Sequence, residues 1–91
     1  MNVRTPGPRQ MPGVHMLRVD DDCVLCDADG RPLCRLNDTA SALWELCDGA
    51  TSPDEMIAAV CSLCSVEPEV AEQDITRILA EFSRVAVIDW P

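Results

Sequence analysis

Six cysteines are the residues of this 91-residue chain most capable of chemistry. Cys23-x-x-Cys26 and Cys61-x-x-Cys64 are two CxxC pairs, which together match the ligand number of a tetrahedral four-cysteine zinc site. Their context argues against that use. Cys23 to Cys26 reads as an apolar strand, where a separation of three puts two thiols on opposite faces. Cys61 and Cys64 fall on the apolar face of a helix, spaced as core residues, and buried cysteine packs as a small hydrophobe. A disulfide framework belongs to an oxidising compartment. The reading is therefore no metal and no cofactor, with a small thiol or zinc-binding protein kept as an alternative. The rest of the kit is thin for catalysis: one His, no Tyr and one Phe. His is the usual group titrating near neutrality, and no nucleophile–base pair or phosphate loop is visible. An enzyme is not expected.

The formal charge is −9, and every basic residue is Arg. Arg4, Arg9, Arg18, Arg31, Arg35, Arg77 and Arg84 are scattered, whereas a nucleic-acid-binding domain needs a concentrated basic footprint. An acidic surface suits a basic or mixed protein partner, or serves solubility alone. Apolar residues make up 47% of the chain, enough for one small domain with a marginal core. No apolar run approaches the roughly 18 residues of a membrane span. Residues 1–12 hold no apolar h-region, so the expectation is a cytoplasmic protein with no secretory signal.

The elements that would position any site follow from pattern. Pro6, Pro8, Pro12, Gly7 and Gly13 predict a flexible tail over residues 1–13, followed by a single domain over 14–91. Strands are expected at residues 15–19, 23–26 and 31–36. The turns between them are Asp20-Asp21-Asp22 and Asp27-Ala28-Asp29-Gly30, the second carrying strong hairpin chemistry. Three helices follow. Asn37 or Asp38 caps the first; Ala40, Leu43, Trp44 and Cys47 form its face, and Gly49 is its left-handed stop. Ser52, Pro53 and Glu55 make a capping box for the second, whose face is Ile57, Val60, Cys61 and Cys64. The third starts near Pro68, with Glu67, Glu69 and Glu72 at its positive end and Ile75, Ile78, Leu79 and Phe82 as its stripe. Residues 85–90 pack back as a strand or as irregular chain. The fold class is α+β: a three-stranded antiparallel β-meander followed by three α-helices, winged helix-turn-helix-like.

Leu36-Asn37-Asp38-Thr39-Ala40-Ser41-Ala42-Leu43-Trp44-Glu45-Leu46-Cys47-Asp48-Gly49 resembles the signature of the PqqD-like family, the recognition elements for precursors of ribosomally made, post-translationally modified peptides (RiPPs). The matching residues are Leu36, Asn37, Thr39, Ala40, Leu43, Trp44, Glu45, Leu46, Cys47, Asp48 and Gly49. The segment 51–60 looks like the family's second helix, and the resemblance covers residues 19–90. Trp44 looks like the stand-alone leader-binding proteins of lasso-peptide pathways. The Glu45-to-Gly49 ending looks more like proteins serving radical-SAM maturases.

The resemblance implies a non-catalytic adaptor, a peptide chaperone. It holds the leader of a precursor peptide and presents it to a modifying enzyme, a radical-SAM maturase or a lasso-peptide protease and cyclase, in RiPP or PQQ-type biosynthesis. The leader adds as a strand to the edge of strand three, in the groove between that strand and the third helix, where unpaired N–H and C=O groups extend the sheet. Carried onto this chain, the peptide-binding residues are Pro32, Leu33, Cys34, Arg35 and Leu36 on the strand, and Asp74, Arg77, Ile78 and Glu81 on the helix. Pro32 cannot donate, so its nitrogen faces away from the ladder. Cys34 and Leu36 are expected to share that outward parity and to carry the N–H groups for the peptide. Ile78 floors an apolar pocket or is pure core. Arg77 holds a leader carboxylate in bidentate geometry or is a solvated surface residue. Asn37 and Thr39 order the first helix, Leu43 and Trp44 fill the core, and neither pair is expected to touch the peptide. The competing reading is a winged-helix DNA-binding regulator. Residues 53–65, its recognition helix, contain no Arg or Lys and carry Asp54 and Glu55.

Overall fold

The computed structural model describes residues 7–90. In chain order the elements are β1 (Arg9–Gln10), β2 (His15–Val19), β3 (Asp22–Cys26), β4 (Pro32–Leu36), α1 (Asp38–Glu45), α2 (Pro53–Cys64), α3 (Pro68–Arg84) and β5 (Ile88–Asp89). The meander β2-β3-β4 is antiparallel throughout, and the three helices follow it. Its first turn has two residues, with Asp20 at φ +56°. Its second is organised by Asp27, whose Oδ1 accepts from the backbone N–H groups of Asp29 and Arg31 at 2.9 Å each. Gly30 there takes φ +83°, a conformation that glycine adopts without steric cost.

Two helix starts follow their sequence signals. Asn37 Oδ1 accepts from Ala40 N–H at 2.8 Å, so Asn37 rather than Asp38 is the cap. Ser52 and Glu55 form the reciprocal capping box, each bond satisfying a helix-end donor. The core draws on β3, the three helices and the residue before β5: Leu25, Leu43, Met56, Ile75, Phe82 and Val87 are fully buried. Trp44 and Phe82 meet edge to face, with centroids 6.0 Å apart and planes at 87°, the arrangement favoured by aromatic quadrupoles.

Three expectations are corrected. Residues 7–13 do not form a loose tail; residues 1–6 of that expected tail lie outside the described residues. Arg9 and Gln10 pair with Asp89 and Ile88 as a second, two-stranded sheet. Arg9 also forms a salt bridge to Asp89 at 2.8 Å, and Gln10 Nε2 donates to the Trp44 carbonyl at 2.9 Å. Pro8 is fully buried, and a Cβ on Gly7 would lie 1.7 Å from the Thr51 carbonyl oxygen. Proline and glycine here serve close packing rather than freedom. The second correction is the end of α1, which stops at Glu45 with Leu46 in right-handed geometry. Gly49, at φ +83°, turns the chain where β1 crosses: its N–H donates to the Pro8 carbonyl at 2.9 Å. The third is Cys64, which is exposed; α2 buries the expected Val60 together with Met56.

Candidate functional site

β4 and α3 enclose a groove of about 350 Å³, lined by Leu33, Cys34, Arg35, Asn37, Ala40, Arg77, Ile78, Glu81 and Phe82. Six of the nine residues anticipated from sequence therefore meet there. Pro32 is exposed beside it, and Leu36 is buried in the core at 7% exposure. Asp74 lies one turn before Ile78, 3.9 Å from the Arg77 guanidinium. Ile78 is both core, at 5% exposure, and groove lining, so its two readings hold together. Asn37, Ala40 and Phe82 were missed. Phe82 was visible as the α3 stripe residue one turn after Ile78. Ala40 leaves room because its side chain ends at Cβ, a consequence that emerges only once α1 is docked.

The register of β4 corrects the expected parity. Cys23, Val24 and Leu25 pair with Leu36, Arg35 and Cys34, but Cys26 pairs with Pro32. Leu33 is therefore an extra residue, a β-bulge. The two-residue turn makes Val19 and Asp22 a directly bonded pair, and bonding sides alternate along an antiparallel strand. Cys23 and Leu25 thus aim their backbone groups at β4. It follows that Cys34 and Leu36 donate inward to β3, not outward. Pro32 does face outward, but the bulge breaks its parity with Cys34. The residue of β4 that turns both N–H and C=O to the open edge is Arg35.

The groove is apolar at its floor and charged at its rims. Arg84 donates to both oxygens of Glu81 and holds that carboxyl below its usual range. Arg35 donates to Asp22 at 2.8 Å across the far face of the sheet. Burial, and secondarily the charge of Glu81, pushes the Cys34 thiol up. A neutral thiol is a poor nucleophile, and His15, the single histidine, lies on β2 opposite Cys26. Among the described residues, no group of three or more His, Cys, Asp or Glu is placed to hold a metal.

Cys47 shows the same physics more strongly. It is 2% exposed, its Sγ donates to the Leu43 carbonyl at 3.3 Å, and burial, reinforced by Asp48, pushes its thiol up to about 12. The unfolded chain gives up this proton first. The resulting stability is complete below pH 9.0, the ordinary thiol value, and is lost as pH rises toward about 12. The thermal midpoint is expected to fall above about pH 9, and Cys47→Ala to flatten that slope; an equal slope in the variant would refute the assignment. Alkylation at about pH 8 should label exposed Cys64 first and Cys47 last.

Residues 22–88 match the family described as "Coenzyme PQQ synthesis protein D (PqqD)". The chain belongs to the PqqD family. Solved structures place this PqqD-family chain in the same fold. The PqqD truncation of Methylobacterium extorquens PqqCD, a functional and stand-alone RiPP recognition element, is 25% identical with a TM-score of 0.74, covering 90% of this chain and 87% of that one. Lasso peptide synthetase B1 complexed with the leader peptide is 26% identical with a TM-score of 0.72, covering 92% and 98%. TbiB1 in complex with the TbiA(beta) leader peptide, 23% identical with a TM-score of 0.73 over 89% and 94%, shares the fold. No curated protein matches the chain significantly. The fold of this PqqD-family member is that of the RiPP recognition elements. Its α2 carries no Arg or Lys, unlike a DNA-recognition helix. No helix among the described residues is long and apolar enough to cross a membrane.

Proposed function

We propose that the chain is a non-catalytic recognition element that binds the leader of a ribosomally made precursor peptide and presents it to a modifying enzyme. The observation that carries this reading is the groove between the open edge of β4 and α3, which combines unpaired backbone at one wall with an apolar floor of Ile78, Phe82 and Ala40. An extended peptide entering it extends the sheet through backbone bonds and is selected by its side chains. Two of the similar structures hold a leader peptide. The peptide-binding residues are Leu33, Cys34 and Arg35 of β4 and Arg77, Ile78 and Glu81 of α3, with Pro32, Leu36 and Asp74 supporting them from the flanks. Asn37, Ala40 and Phe82 join the set.

The groove supplies recognition without chemistry. Its carboxylate is engaged by Arg84, its thiol is held neutral, and no cofactor is needed for peptide addition. The partner is a radical-SAM maturase or a leader peptidase, and the adaptor works beside it in the cytoplasm. Titrating labelled leader peptides, encoded by short reading frames beside the gene, against the protein tests this by NMR. Saturable amide shifts centred on residues 33–37 and 74–82 are the expected result. A folded protein that shifts with no leader would sink the stand-alone reading.

A further inference from the structure

The bulge does more than move one residue: it fixes how a peptide can lie against this edge. With Leu33 extra between Cys34 and Pro32, the N–H groups of Leu33, Cys34 and Leu36 all aim at β3, because a peptide's N–H and C=O point to opposite sides. Pro32 has no N–H. Arg35 alone in β4 then offers a donor and an acceptor to the outside, spaced as an antiparallel bonded pair requires.

Resting on the leader-binding reading, we infer that the bound peptide pairs one residue directly with the Arg35 backbone and drops the side chains on either side of that residue into the groove. The side-chain half follows from pleat. The Arg35 side chain lies on the face away from the core, bonded to Asp22, whereas Cys34 lines the groove and Leu36 is core. A peptide residue opposite Arg35 shares Arg35's face, so its two neighbours face α3. They meet Leu33, Cys34, Ile78 and Phe82, an apolar surface in a groove of about 350 Å³. The ligand class is therefore an extended segment with two apolar side chains two residues apart, flanking one solvent-facing residue. Augmentation is short, since Pro32 and the bulge end the donors on one side and α1 begins at Asp38 on the other. Side-chain spacing, rather than a long ladder, supplies the selectivity.

The probes are capped seven-residue Ser/Thr peptides holding two leucines one, two or three positions apart, followed by amide shifts. The two-apart peptide is expected to bind most tightly, with the largest shift at Arg35. N-methylation of the residue between its leucines should weaken binding about tenfold, the scale of one backbone bond, while N-methylation of either leucine, whose N–H faces away from β4, costs less. On the protein side, Arg35→Pro is compared with Arg35→Ala. Both lack the guanidinium, and only proline lacks the N–H. Position 35 tolerates proline because its N–H is unused within the sheet. Arg35→Pro should bind about tenfold more weakly than Arg35→Ala. Equal binding by the two folded variants, no preference for two-apart leucines, or indifference to central N-methylation would each overturn this register. In those cases a wild-type protein that still binds its own leader keeps the adaptor reading intact. A wild-type protein that binds neither leader nor probes removes both. Should Arg35→Pro fail to fold, the N-methyl series decides alone.

Discussion

Phe82→Ala is expected to destabilise the domain by about 3–5 kcal/mol, the range for emptying a buried aromatic site. Phe82 is 2% exposed and meets Trp44 edge to face at 6.0 Å, a pairing worth a further ~1 kcal/mol beyond area. Chains of this size hold only about 5–14 kcal/mol in total, so the change removes a large share. At roughly 4–8 °C per kcal/mol, the thermal midpoint should fall by about 15 °C or more, read by circular dichroism. A fall under about 5 °C would show that the core closes over the gap and that Phe82 is not the keystone. Phe82→Leu separates the two roles of this side chain. It keeps most of the buried volume, so it should fold while presenting an altered groove floor.

That double role explains which parts of the molecule could be seen in the chain beforehand. Ser52, Pro53 and Glu55 act locally, so the start of α2 was legible from three residues. The α3 stripe was legible for the same reason: Ile75, Ile78, Leu79 and Phe82 recur with the helix and all are buried. The β1–β5 pairing was not, since two-residue strands carry no periodicity and Arg9 lies 80 positions from its partner Asp89. Pro8 and Gly7 read as disorder because composition reports freedom in the unfolded chain, not the close contact with Thr51 and Gly49 that consumes it. Gly49 showed a similar ambiguity. Its positive φ was readable; that a crossing strand rather than a helix end demanded it was not. The groove lies between these cases. Its walls were anticipated, but one bulged residue, Leu33, reverses the backbone parity of everything before it, and sequence alternation gives no warning of an insertion in a register.

Cys34→Trp is the sharpest test of where the leader lies. Cys34 is half-buried on β4, with its thiol in the groove beside Ile78 and Glu81. An indole there would occupy the space we propose for a peptide side chain, while its own apolar surface stays against the floor. Aromatic residues are favoured on strands, and an edge position lets the ring lean outward, so the thermal midpoint should move by only a few degrees, about 1 kcal/mol or less. Leader affinity should drop at least ~30-fold, about 2 kcal/mol. This is the loss expected when a central anchor pocket closes. Cys34→Ala leaves the pocket open and should bind within about threefold of wild type, because the neutral thiol contributes a small contact area rather than a charge. The pair of variants makes the result directional. If the tryptophan variant folds and still binds leader as the alanine variant does, the peptide does not enter between β4 and α3. The edge of β4 and the apolar floor would then serve something other than leader recognition.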